Sequence, residues 1–139
     1  MKIQLAVTTE EIIACFSVMS ELRPHLSLDG FIALVERMQK SYAYELAYLD
    51  DQGIKAVAGI RVAEWLYTGK YLEVDDLITT AAARSKGYGS MLFDWVADYA
   101  RERDCSQLRL VSGVQRVDAH RFYLRQGMKF EAKYFSMDL

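Results

Sequence analysis

The stretch Ala83-Arg84-Ser85-Lys86-Gly87-Tyr88-Gly89 stands between an extended segment and an amphipathic helix. It constrains this chain more than any other feature. Glycine reaches positive φ at little cost and lets backbone amides approach a ligand closely. The first turn of the helix that follows has unpaired N–H groups and the positive end of the helix dipole. Together these make an anion site suited to a phosphate or pyrophosphate, with Arg84 and Lys86 supplying mobile positive charge beside it. The stretch is not a P-loop, because it lacks G-x-x-x-x-G-K-[ST]. Nor is it a dinucleotide fingerprint, because no third glycine stands in G-x-G-x-x-G register.

The surrounding pattern predicts the elements that hold this loop. Ile3 to Val7 alternates weakly, as a short strand does. Thr9 with Glu10 and Glu11 reads as an N-cap and acidic first turn, and Ile12, Ile13, Phe16, Met19 and Leu22 follow at helical spacing until Pro24. A second helix starts near Ser27 and aligns Phe31, Leu34, Val35 and Met38. Tyr42 to Asp50 and Ile54 to Leu66 flank Asp51-Gln52-Gly53, a hairpin turn, and Lys70 to Thr80 reads as the next strand. Met91, Leu92, Trp95, Val96 and Tyr99 form the apolar stripe of a helix over Gly87 to Arg103. A strand at 106–113, a helix over Arg116 to Gln126 and a last strand from Met128 complete the order. The expected architecture is α/β, one domain over 1–139, with a mixed, mostly antiparallel sheet and helices on both faces. The strands at 70–80 and 106–113, joined by a helical crossover, should run parallel.

The segment Arg84-Ser85-Lys86-Gly87-Tyr88-Gly89 matches [QR]-x-x-G-x-[GA], and "AHRFYLRQGMKF" resembles A-x-x-x-Y-x-x-x-G-[FM]. Two such motifs, in this order of elements, make the chain resemble the GNAT N-acetyltransferase superfamily along essentially its whole length. The resemblance implies the GNAT acyl-CoA N-acyltransferase fold and transfer of the acetyl group of acetyl-CoA to a primary amine of a small molecule or protein, by direct attack through a tetrahedral intermediate. It implies that backbone amides from Arg84, Ser85, Lys86, Gly87, Tyr88 and Gly89, with Ser90 at the first turn, hold the CoA pyrophosphate. Leu77, Ile78 and Thr79 would pair with the pantetheine arm through their backbones, where the two parallel strands splay apart. The chain departs from the usual pattern at Ala81, where proline is common, and at Arg116, where asparagine is common. It also ends soon after its last expected strand, so a seventh strand would be short, absent or supplied by a partner. A homodimer is the expectation that follows.

The chemistry calls for a neutral amine, a polarised carbonyl and a proton for the departing thiolate. Tyr123 occupies the tyrosine of the second motif, which the resemblance makes the general acid; by composition alone, one of nine tyrosines is a packing residue. Glu73 and Asp75 are the general-base candidates and share a strand face by alternation, with Asp76 on the other face unless a bulge intervenes. The alternatives are a salt-bridged carboxylate cluster, or an electrostatic lure for a cationic acceptor such as a polyamine, an aminoglycoside or a lysine. His120, one turn before Tyr123, reads as a surface or packing histidine. Arg23, His25 and Tyr67 are candidates for acceptor contact, because the region between the first two helices roofs the acceptor pocket in that family. A competing reading from another class is a catalytically inactive acyl-CoA-binding sensor or regulatory module.

Composition narrows the partners. The net charge is −2, without the basic excess of a nucleic-acid binder. No apolar run approaches a membrane span, and the N-terminus turns acidic at Glu10 and Glu11 before a signal-peptide core forms, so a cytoplasmic protein is expected. Cys15 and Cys105 lie far apart and read as reduced thiols, and no metal is called for.

Overall fold

The hairpin series of the sequence becomes one five-stranded sheet in strand order β1-β2-β3-β4-β5. The strands are β1 (Lys2–Leu5), β2 (Tyr44–Asp50), β3 (Ile54–Trp65), β4 (Gly69–Thr79) and β5 (Gln107–Leu110). The computed structural model describes residues 1–139. The first four strands pair antiparallel in turn. β5 starts where β4 starts: the Ser106 amide donates to the Lys70 carbonyl, and Arg109 reaches Glu73. Both numbers rise together, so β4 and β5 run parallel and the sheet is mixed, as the crossover connection requires. Contacts divide the chain into two compact units, Met1–Arg109 and Leu110–Leu139.

Helices α1 (Thr9–Leu22) and α2 (Leu28–Ser41) cover one face of the sheet. Their core joins Ile12, Cys15, Val18, Met19, Phe31 and Val35 to Tyr44, Leu46, Tyr48, Val57 and Ile78. The register puts Val57 on that face, so its neighbours Ala56, Ala58 and Ile60 project to the other, where α3 (Tyr88–Glu102) brings Leu92, Phe93, Val96 and Ala100. Each fully buried aliphatic side chain contributes about 1.5–3 kcal/mol. The N-cap of α1 is Thr8, whose hydroxyl accepts from the Glu11 amide, rather than Thr9. Ser27 caps α2 in the same way. Both residues precede an acidic first turn, and the capping geometry, which residue type alone does not fix, decides between neighbouring threonines.

In the second unit, α4 (Val117–Arg125) ends at the positive-φ Gly127. The strand expected from Met128 onward is not formed: no residue after Gly127 belongs to a sheet, and residues 129–139 are exposed. Alternating apolar residues favour a strand only where another strand takes up their N–H and C=O groups, and the pairing of this sheet stops at β5. No helix is long and apolar enough to cross a membrane.

Candidate active site

The glycine-rich loop is held by backbone conformations that few residues adopt. Ser85 has φ 65° and Gly87, the N-cap of α3, has φ 84°. An added Cβ at Gly87 would meet only the Met91 methyl, at 3.8 Å, so conformation rather than space demands glycine there. Whereas Thr8 and Ser27 cap α1 and α2, no side chain caps α3. Arg84, Ser85, Lys86 and Gly87 are exposed, and Tyr88, Gly89 and Ser90 are half-buried at the first turn. A cavity of about 300 Å³ opens beside this loop, lined by Thr80, Ala82, Ala83, Lys86 and Tyr88, and by Asp51, Gln52 and Lys55 of the β2–β3 turn. The Tyr88 hydroxyl donates to Asp51 at 2.7 Å, fixing the turn against the helix start. The contribution of that turn was not legible in the sequence, because it depends on the fold bringing two loops together.

Strand β4 leads into the loop. The Thr80 amide donates to the Lys55 carbonyl on β3, and Glu21 of α1 accepts from the Thr80 hydroxyl and the Ala81 amide. Those two hydrogen bonds hold the Glu21 carboxyl below its usual range. By strand alternation the backbone of Ile78 also faces β3, and its side chain is in the core. The N–H and C=O groups of Leu77 and Thr79 therefore face the β5 side. There β5 ends at Leu110, opposite the first half of β4. Of the three backbones expected to pair with a ligand, Leu77 and Thr79 are turned for it and Ile78 is not.

The carboxylates of β4 are rearranged by a bulge. Gly59 pairs with Asp76 and Ile60 with Val74, leaving Asp75 as the extra residue. Glu73 pairs with Arg61, two residues from Gly59 on the same face of β3, so Glu73 and Asp76 lie on one face although three residues apart. Asp75 joins them there through Arg61. Every carboxylate of the group holds an arginine. Arg61 grips Asp75 with Nε at 2.7 Å and Nη2 at 3.0 Å. Arg109 Nε donates to Glu73 at 3.0 Å. Arg23, at the C-cap of α1, donates to Asp76 at 3.0 Å and to the Asp75 carbonyl at 3.1 Å. The buried Tyr44 hydroxyl also donates to Asp76, at 3.0 Å, directly over Gly59. Burial, then the Asp76 carboxylate, pushes the Tyr44 phenol well above its ordinary range. The face is a matched set of three carboxylates and three arginines, the salt-bridged cluster among the alternatives that the sequence left open for "EVDD".

Glu73 and Asp75 differ in their surroundings. Burial raises the Glu73 carboxyl above its usual range, although Arg109 opposes the rise. A cavity of about 110 Å³ opens beside Glu73, lined by Tyr42, Ala43, Arg61, Val62, Ala63, Tyr71 and Arg109. Both oxygens of Asp75 are instead engaged by Arg61, through Nε and Nη2. Of the acceptor-contact candidates, Arg23 is brought to the carboxylate group. His25 is exposed in the α1–α2 connection, and Tyr67 is exposed in the β3–β4 turn, edge-on to Trp65 at 5.6 Å. Sequence reasoning missed Arg61 and Arg109. The available signal was a cation at mid-strand in each neighbour of an acidic strand, a pattern that half-buried pairing explains.

In the second unit, Tyr123 lies half-buried on α4. Burial raises its phenol, with Arg116 and Ser112 opposing, so the hydroxyl keeps its proton at neutral pH. The Ser112 hydroxyl is buried, and its approach to the phenol falls short of hydrogen-bond geometry. His120 Nε2 lies 2.9 Å from the Gly113 carbonyl, a contact that fixes the preceding loop.

Comparison with known proteins decides the family. The sequence model of the acetyltransferase (GNAT) family matches residues 7–128. The chain belongs to the GNAT acetyltransferase family. It is 38% identical over 128 residues to an uncharacterized N-acetyltransferase, YhdJ, of Bacillus subtilis (strain 168), covering 91% of this chain and 90% of that one. It is 28% identical over 116 residues to the aminoalkylphosphonate N-acetyltransferase of Salmonella typhimurium (strain LT2), covering 83% and 73%. Its fold is similar to that of a putative acetyltransferase from Agrobacterium tumefaciens, with TM-score 0.86 and 17% identity over the full length of both chains. The GNAT fold and a GNAT acetyltransferase chain, expected from the two motifs, are thereby established.

Proposed function

We propose that the protein transfers the acetyl group of acetyl-CoA to a primary amine, by direct attack of the amine on the thioester. The observation that carries this reading is the start of α3: a family member has a helix there that no side chain caps, Gly87 at positive φ, and Lys86 and Arg84 beside a cavity of about 300 Å³. The amides of Lys86 to Gly89 would hold the pyrophosphate, and the outward backbones of Leu77 and Thr79 would take the amide groups of the pantetheine arm. Acetyl-CoA, when bound, supplies an activated acyl group on a good leaving thiolate.

The chain's own groups then handle protons. An alkyl ammonium has a pKa near 10.4 and must lose a proton before it attacks. Glu73 is the better base of the two candidates, since burial raises its carboxyl toward the working range of a base, while both oxygens of Asp75 are clasped by Arg61. Tyr123 is the acid, its phenol kept protonated by burial. The Salmonella relative is named for a small-molecule acceptor, and a cavity of about 110 Å³ beside Glu73 favours a small acceptor here too.

The test is release of free CoA thiol from acetyl-CoA in the presence of a panel of small amines, beside acetyl-CoA binding measured separately. Amine-dependent thiol release is expected. Binding of acetyl-CoA with no release for any amine would replace this reading with an acyl-CoA sensor.

A further inference from the structure

The cavity beside Glu73 has a second chemical character besides its carboxylate. Arg109 lies in the notch between two aromatic rings, with its guanidinium carbon 4.0 Å from the Trp65 ring centre and 3.9 Å from that of Tyr71. The two rings touch each other at 5.7 Å, and Trp65 Nε1 donates to Thr68, so the notch is braced on both sides. A guanidinium held this way is fixed in plane and costs little further ordering when it binds. Its Nε is engaged by Glu73, whereas Nη1 and Nη2 make no hydrogen bond within the protein. Arg61, across the same cavity, spends Nε and Nη2 on Asp75 and keeps Nη1. Two arginines thus line one small cavity with spare donors.

We propose that this cavity seats the anionic group of the acceptor, so that the acceptor is a small zwitterionic amine carrying a phosphate, phosphonate, sulfonate or carboxylate. The inference rests on the acetyltransferase reading. Arg109 takes the oxyanion through its free Nη donors, with Arg61 Nη1 as a second contact, and Glu73 faces the ammonium of the same molecule. Charge balance favours this ligand over a polycation. Each β4 carboxylate already holds an arginine, so a polyamine would have to displace a guanidinium to be recognised. A zwitterion adds one charge to each side and leaves neither partner uncompensated. A cavity of about 110 Å³ is the scale of one head group, since a cavity of about 150 Å³ is enough to take a benzene ring. Planar, two-pronged recognition of an oxyanion is also what arginine does better than lysine.

The experiment compares matched amines and then reads the anion alone. Thiol release is measured with phosphoethanolamine against ethanolamine, with β-alanine against propylamine, and with spermidine, for the wild type and for Arg109→Gln. The anionic member of each pair should be preferred in kcat/KM, by roughly tenfold or more for a charge-assisted bidentate contact. Arg109→Gln should raise KM for the anionic members more than for their partners. Equal use of both members, or preference for spermidine, overturns the inference while leaving the acetyltransferase reading in place. In a Trp95→Phe background, Trp65 is the sole tryptophan and lies against Arg109, so its fluorescence reports anion binding directly. Methylphosphonate should produce a saturable change that Arg109→Gln abolishes, with acetyl-CoA binding retained in both proteins. That change without thiol release from any amine would keep the anion site and reject the activity. No change in the folded wild type would reject the site.

Discussion

Gly59 sits beneath the Tyr44–Asp76 hydrogen bond, and replacing it with alanine tests whether that bond organises the β4 carboxylates. A Cβ built there lies 2.0 Å from the Tyr44 hydroxyl, 2.3 Å from Asp76 Oδ2 and 2.6 Å from Tyr44 Cζ. None of these contacts is tolerable, and Tyr44 is only 2% exposed, so it cannot swing into solvent. The variant must push the phenol and the carboxylate apart. Overpacking costs about 1–3 kcal/mol, and severing a hydrogen bond to a charged group costs about 1.5–3 kcal/mol. Because moving the side chains relieves the clash by breaking the bond, the two costs overlap, and about 3 kcal/mol is expected. For a domain of this size that lowers Tm by roughly 10 °C. Urea unfolding should show a lower midpoint at unchanged slope. In a Tyr44→Phe background the nearest clashing oxygen is gone and the bond is already lost. Gly59→Ala should therefore cost about 1 kcal/mol less there than in the wild type. Stability of Gly59→Ala within about 0.5 kcal/mol of wild type, or strictly additive costs, would refute this placement of Tyr44 and Asp76.

Tyr123→Phe should lower kcat by roughly 10²-fold, the low end for a lost general acid, with Tm nearly unchanged; unaltered turnover in the folded variant would remove the hydroxyl from the reaction. Glu73 must be ionised to accept a proton, and burial raises its carboxyl, so kcat/KM should fall with decreasing pH at a point above the usual glutamate range. Glu73→Gln should abolish that acid limb, and an identical pH profile in the variant would assign the limb elsewhere. The Cys15 thiol, fully buried and pushed up to about 12, should resist a thiol reagent until the protein unfolds, and rapid labelling of Cys15 in the native state would contradict the core. Thr8→Ala should cost about 1 kcal/mol in urea unfolding, and Thr9→Ala much less, which separates the two cap assignments.

The order of elements was legible because local patterns and local needs agree. Helical stripes such as Leu92 and Val96 do face the sheet, and Asp51-Gln52-Gly53 does turn the hairpin. The glycine-rich loop at the start of α3 was legible for the same reason, since glycine spacing, loop charge and helix start are neighbours in sequence. What failed depends on distant partners. The segment after Gly127 alternates like a strand, but alternation cannot supply the strand it must pair with. For the carboxylates of "EVDD" a salt-bridged cluster was among the alternatives, but its partners Arg23, Arg61 and Arg109 come from other elements and only the fold shows them. Asp76 shares the face of Glu73 through one extra residue at Asp75, the bulge on which the sequence reading made its placement conditional, and periodicity alone does not say whether such a bulge forms.

The most direct test of the central claim is a calorimetric titration of CoA into the wild type and into Gly87→Val. Valine is β-branched and strongly disfavoured at the φ of 84° found there, so the variant must rebuild the loop whose amides would hold the pyrophosphate. The helix behind it keeps its buried stripe, and the melting temperature should change little. CoA should bind the wild type, and the variant should bind at least about tenfold more weakly, a loss of about 1.4 kcal/mol. Equal affinity in the two proteins would contradict the assignment of the α3 start as the cofactor site.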